Sequence, residues 1–252
     1  MQELTALLFD VDGTLADTEE IHRRAFNTVF ARAGLDWKWS HTLYGHLLRV
    51  TGGKERIRHF IDTYQPSFQR PADLDAFIAD LHQVKTREYT RIIGEGQLPL
   101  RRGVRRLLLE AKAKGLRLCI ATTTSSENVA ALLEHSIDPK AASWFDVIAA
   151  GDVVSQKKPA PDIFQYVLQE LELPADSCLA LEDSQNGLHS ALAAGLPTLV
   201  TVNSYTQDQA FDGALLVIDQ LGEPDQPFTV LQGNADCASY VDVEMLRNLH
   251  RQ

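Results

Sequence analysis

Cysteine is scarce in this chain of 252 residues: there are three, Cys119, Cys178 and Cys237. An odd count with no close spacing argues against a disulfide framework and reads as reduced thiols. Cys119 and Cys178 lie inside apolar runs, where packing rather than reactivity is expected. Long hydrophobic runs are missing as well. No segment approaches the ~18 to 20 consecutive apolar residues that a membrane span needs. The first residues carry neither a basic region nor a small-residue cleavage site, so no signal peptide is expected. Positive charge is also in deficit: 24 Lys and Arg stand against 34 Asp and Glu, a net charge of −10. That argues against nucleic acid or an anionic membrane as the main partner. A small anionic substrate stays open, because local cations or a metal can override the overall field. Repeats and low-complexity tracts are absent. These absences leave a cytoplasmic enzyme as the expectation, although a removed transit peptide would leave no trace. With 44% hydrophobic and 23% charged residues, the length suits one large domain or a domain carrying an insertion.

What is present is alternation. Short apolar runs recur at 4–10, 116–123, 145–152, 178–183, 198–202 and 214–219. They are too continuous for half-exposed strands and suit strands covered on both faces. Between the later runs, 104–115, 127–136, 162–173 and 186–195 carry apolar residues at helical spacing, with Gly115 and Gly195 where helix C-caps belong. Strand alternating with helix predicts an α/β fold, a doubly wound parallel sheet. One gap breaks the rhythm. About a hundred residues separate the first two runs, far more than a crossover needs, and helical patterns at 18–34, 54–64 and 73–93 fill much of it. The expected organisation is an α/β core of residues 1–15 and 95–252, with a helical insertion at 16–94 and a return segment, "EGQLP", at 95–99. The tail after Pro224 carries weak pattern and no assignment.

In doubly wound folds, sites form at the carboxyl ends of strands. After the first run comes "DVDGT" (10–14), after the second "TTTSS" (122–126), after the third "KKP" (157–159), and after the fourth "EDS" (182–184). Each alone has a bland reading: a solvated turn for the paired acids, a helix cap for Ser125 or Ser126 and for Asp183-Ser184, solvated surface for Lys157-Lys158. Together they supply carboxylates, hydroxyls and an ammonium to one place, which suits phosphoryl transfer. Mg²⁺ takes hard oxygen ligands such as Asp10, Asp183 and Glu182, with a main-chain carbonyl near Asp12, and offsets repulsion between carboxylates and phosphate. Alternate residues of an extended segment point the same way. Asp10 and Asp12 can therefore divide the work, one as nucleophile and the other as proton donor and acceptor.

At this point the sequence resembles the haloacid dehalogenase superfamily. "FDVDGT" (9–14), "IATTT" (120–124), "KKPAPDIF" (157–164) and "ALEDSQNG" (180–187) match its motifs in order and spacing. The resemblance implies Asp10 as nucleophile, Asp12 as general acid/base, Thr122 and Lys158 as phosphate clamps, and Mg²⁺ at Asp10, Asp12 and Asp183, with Glu182 nearby. Residues 16–94 would be the small helical cap that closes over the site and reads the leaving group. Within it, "RVTGGKERI" (49–57) offers a Gly-Gly turn, a helix N-terminus and two cations to an anion. Together with "DTEEIH" (17–22), it is similar to the CbbY group, Calvin-cycle-associated enzymes akin to xylulose-1,5-bisphosphate phosphatases. That likeness implies substrate contacts from Glu19 or Glu20, His22, Tyr44, Thr51, Gly52, Gly53, Lys54, Arg56 and Arg91 in the cap, and from Thr122, Thr123 and Lys158 in the core. Without it, His22 reads as an interface histidine, and Trp37, Trp39 and Tyr44 read as cap core. The expected partner is a small phosphorylated sugar, bound by a monomer. A β-phosphoglucomutase-like mutase and a general sugar-phosphate or phosphoglycolate phosphatase share the core motifs. A non-catalytic binding protein would lack at least one of Asp10, Asp12, Lys158 or Asp183.

Overall fold

The computed structural model describes residues 2–95 and 98–252. The six apolar runs form strands β1 (Ala6–Phe9), β2 (Arg117–Ala121), β3 (Val147–Ala149), β4 (Cys178–Glu182), β5 (Thr198–Thr201) and β6 (Leu216–Ile218). They line up in the order β3-β2-β1-β4-β5-β6, parallel throughout. Every residue of β1 and β4 is buried, as strands covered on both faces require. The strand order reverses between β1 and β4, which opens a crevice at their carboxyl ends.

Between β1 and β2 the chain forms α1 (Glu19–Arg32), α2 (His41–Leu47), α3 (Gly53–Tyr64) and α4 (Leu74–Gly94). The short α2 carries no sequence prediction. It is started by Ser40, whose side chain accepts from the Leu43 backbone N–H at 3.1 Å. These helices pack around their own aromatic cluster of Phe26, Phe30, Trp37, Trp39, Tyr44 and Phe60. Trp39 lies 4.6 Å from Phe26 and 4.9 Å, edge-on, from Phe30, spacings at which aromatic pairs gain beyond their buried area. One ring comes from the sheet side: Tyr205 stacks on His41 at 4.3 Å and meets Tyr44 edge-on at 5.8 Å. Two of the residues in the return segment at 95–99, Gly96 and Gln97, lie outside the described residues. Beyond it, Leu100 bridges antiparallel to Ala16.

On one face of the sheet pack α5 (Val104–Ala113), α6 (Ser126–Leu132) and α9 (Val243–His250); on the other pack α7 (Asp162–Leu171) and α8 (Gln185–Ala193). Gly115 and Gly195 take φ of 76° and 80° just past α5 and α8, the left-handed ends predicted there. The helix expected at 127–136 is shorter: α6 stops at Leu132 and a π turn follows at Leu133–Ile137. The unassigned tail is structured. It adds β7 (Val230–Gly233), antiparallel to β6 at the sheet edge, and α9, which buries Val243, Leu246 and Leu249 against α5.

A buried arginine ties this frame together. Arg101, just past the return segment, donates to the carbonyls of Thr201 at 2.9 Å, Val202 at 2.5 Å and Asp219 at 2.8 Å, and to that of Gly13. It also faces Asp17 at 3.3 Å, where the chain leaves for the inserted helices.

Candidate active site

Asp10 is the first residue past β1, 7% exposed, with its main-chain N–H donating to Leu181 of β4 at 3.0 Å. Lys158 reaches it from the segment between β3 and α7. Its buried Nζ donates to Asp10 Oδ1 at 2.7 Å, Glu182 Oε1 at 2.5 Å and the Ala121 carbonyl at 2.8 Å. Three acceptors satisfy all three ammonium protons, as a buried charge requires. Burial alone would lower the Lys158 pKa, but Asp10 and Glu182 more than reverse this and hold it charged. Asp183 begins the turn after β4, and Asn203, past β5, donates to its Oδ2 at 2.6 Å. Ser184 caps α8 by accepting from the Gly187 N–H at 3.2 Å, and Ser125 caps α6, so the cap reading holds for these two serines. Thr122 is buried at the end of β2.

Asp10, Glu182 and Asp183 bring one carboxylate oxygen each within 4.8 Å of one another, all buried. Burial pushes the Asp10 carboxyl up to about 8, against the pull of Lys158, with Glu182 and Asp12 adding to the rise. Burial together with Asp10 and Glu182 also drives Asp183 well above the usual carboxylate range. Three crowded carboxylate donors, two of which, Asp10 and Asp183, resist ionising beside their neighbours, form a hard donor set, and such a set fits a divalent cation. Asp12 stands apart from the trio. Its carboxylate accepts from Thr18 Oγ1 at 2.5 Å and from His22 Nε2 at 3.1 Å. Burial works to raise its pKa, but His22 and the Thr18 hydrogen bond hold it well below the usual range. His22 in turn accepts from Lys85 Nζ at 2.6 Å through Nδ1, which leaves the proton on Nε2 facing Asp12.

These groups open onto a cavity of about 540 Å³ between the sheet and the inserted helices. Of the predicted residues, Asp10, Asp12, Thr122, Thr123, Lys158 and Asp183 line its floor, and Glu19, His22, Thr51, Gly52, Gly53 and Arg56 line the opposite side. Four expectations change. Glu20 is turned outward to Arg23 at 2.6 Å. Tyr44 is fully buried behind the wall, its hydroxyl donating to Glu19 at 2.9 Å and accepting from Arg56 at 3.1 Å. Lys54 reaches away from the main cavity to Asp152 at 2.6 Å. Arg91 is half exposed on the outer side of α4, paired with Glu88 at 2.9 Å and with Glu95. The sequence reading also missed Lys85, His82 and Asn186, all of which line the cavity. Polar residues at core-facing positions of α4 were the available signal for the first two.

A haloacid dehalogenase-like hydrolase family model matches residues 4–195. The CbbY protein of Rhodobacter capsulatus is 53% identical over 212 residues, 84% of this chain and 91% of that protein. The plasmid CbbY protein of Cupriavidus necator is 47% identical over 224 residues, 89% and 88% of the two chains. Among solved structures, CbbY from Rhodobacter sphaeroides in complex with phosphate aligns with a TM-score of 0.79 at 48% identity, covering 86% of this chain and 94% of that one. The same figures hold for the D10N mutant of that protein in complex with xylulose-(1,5)bisphosphate.

Proposed function

This chain belongs to the haloacid dehalogenase-like hydrolases and, within them, to the CbbY group; from that premise we propose that it is a Mg²⁺-dependent sugar-bisphosphate phosphatase that converts xylulose 1,5-bisphosphate to xylulose 5-phosphate. The observation that carries the reading is a buried carboxylate, Asp10, facing a cavity whose helical side carries the guanidinium of Arg56. A substrate charged at both ends meets a nucleophile at one end and compensating charge at the other. The bisphosphate held by the Rhodobacter sphaeroides protein has that form.

In this reading Asp10, Glu182 and Asp183 would hold the Mg²⁺, which would supply positive charge against the approach of a phosphate to three carboxylates. The Asp10 carboxylate attacks phosphorus, the bond to the sugar oxygen breaks, and Asp12 protonates that oxygen. Asp12 then takes a proton from water, and the resulting hydroxide attacks the aspartyl phosphate, releasing inorganic phosphate and restoring Asp10. Thr122 holds the phosphoryl oxygens through both steps, joined by Lys158 as its hydrogen bond to Asp10 passes to the phosphoryl group. His22 and Thr18 orient Asp12 and hold it ionised in the free site, the form the second step needs. The negative charge of the arriving substrate raises its pKa, so that it carries the proton given up in the first. The cap and the sheet together exclude bulk water from the acyl phosphate.

Phosphate release measured with Mg²⁺ from xylulose 1,5-bisphosphate, ribulose 1,5-bisphosphate, phosphoglycolate and β-glucose 1-phosphate tests the assignment. Clear preference for the first, abolished by Asp10→Asn and by chelation of the metal, is the expected outcome. Conversion of β-glucose 1-phosphate to glucose 6-phosphate without free phosphate would make the protein a mutase.

A further inference from the structure

His82 projects from α4 one turn before Lys85 and lines both the main cavity and an adjoining one of about 390 Å³. Its ring fills the space that a Cβ on Gly53 would occupy, so the second glycine of the Gly-Gly turn makes room for an imidazole at the cavity wall. Hydrogen bonds to histidine rings among the described residues go to His22 and His59; His82 makes none. Burial takes its pKa down to about 3, with Lys85, Lys54 and His22 adding to the fall and Asp152 opposing it. The ring is therefore neutral, with one nitrogen to donate and one to accept.

A phosphate group calls for cations, and Lys158 and Arg56 already supply them around this cavity. A neutral donor–acceptor with no protein partner on either nitrogen matches a different partner, an alcohol. We propose that His82 hydrogen-bonds a hydroxyl on the carbon chain of the substrate, between its two phosphates, and so selects polyol phosphates over phosphate esters without hydroxyls. This rests on the sugar-bisphosphate reading above and adds to it a specificity residue in the cap.

The test compares kcat and KM of the wild-type enzyme, His82→Phe and His82→Asn with xylulose 1,5-bisphosphate and with p-nitrophenyl phosphate, which carries no hydroxyl. Losing one neutral hydrogen bond costs about tenfold in kcat/KM. His82→Phe is expected to lose that much on the sugar and little on the aryl ester, with His82→Asn recovering part of the sugar activity. Equal losses on both substrates would make His82 a packing residue of the Gly53 turn and overturn the proposal. Unchanged sugar kinetics in His82→Phe would overturn it too. A wild-type enzyme that releases phosphate from the aryl ester but not from xylulose 1,5-bisphosphate would instead overturn the substrate reading on which the proposal stands.

Discussion

At the scale of single residues, the chemistry is set by how closely three carboxylates are held. Asp10 and Asp183 are both pushed toward their neutral forms when no cation is present. A carboxyl whose folded pKa is raised binds more protons folded than unfolded, so metal-free stability falls as pH rises between about 4 and the folded value of about 8. A divalent cation that binds only the folded form would counter that fall. The increase in melting temperature on adding Mg²⁺ is therefore expected to be small at pH 5 and to grow toward pH 8, which differential scanning fluorimetry reads directly. Gly187 tests the same cluster from behind. A Cβ there would collide with the Glu182 carboxylate, so Gly187→Ala is expected to move Glu182 and raise the Mg²⁺ concentration for half-maximal activity. An unchanged activation curve would count against Glu182 as part of the metal site.

At the scale of elements, the core of the site was legible in the sequence because its residues stand at strand ends. A buried parallel strand announces itself by apolar continuity, and the residue after it must point into the crevice. Asp10, Thr122 and Asp183 are placed by that rule. Helical side chains on the inserted layer obeyed no such rule. Arg91 follows Tyr89 by two residues, about 200° around the helix, and so leaves the wall to which Lys85 and Tyr89 point. Lys54 is drawn off by Asp152, a residue 98 positions away that no local pattern reveals. The tail was missed for another reason. β7 is a four-residue edge strand with every residue exposed, so it carries no burial pattern, and α9 spans little more than two turns. Its signal was Asp242, which accepts from the Met245 N–H at 2.7 Å, followed by Val243, Leu246 and Leu249 at helical spacing. Leu246 is fully buried, so Leu246→Ala is expected to destabilise the protein by about 2–4 kcal/mol. Chemical denaturation would show this as a lower midpoint, and a change under about 1 kcal/mol would mean that α9 is not part of the core.

At the scale of the molecule, the helical layer and the sheet are joined around the rim of the cavity by polar contacts. Asp152 bridges Lys54 at 2.6 Å and Lys157 at 2.7 Å. Asn186 donates to the Arg49 carbonyl at 3.1 Å and to Thr51 Oγ1 at 3.0 Å. Such partly exposed contacts are individually weak and are suited to breaking when substrate enters or product leaves. Asp152→Asn combined with Asn186→Ala is expected to speed amide exchange in α3 and raise KM several-fold while leaving the melting temperature within a few degrees. Unaltered exchange in α3 would mean that these contacts do not hold the layer closed.

Arg101 works on the opposite principle. Its guanidinium holds the Gly13 carbonyl close to Asp10 and Asp12 in the chain and faces Asp17 where the chain departs for the inserted helices, while its other bonds anchor it to the ends of β5 and β6. The outgoing and returning strands of the insertion are thus moored at one point on the rigid side. With that anchor, and with Thr18 and His22 kept on Asp12, the rest of the inserted layer can differ without moving Asp10. The fold is in that sense built like a tool with a fixed handle and an interchangeable head, in which a new substrate range requires rebuilding the head alone.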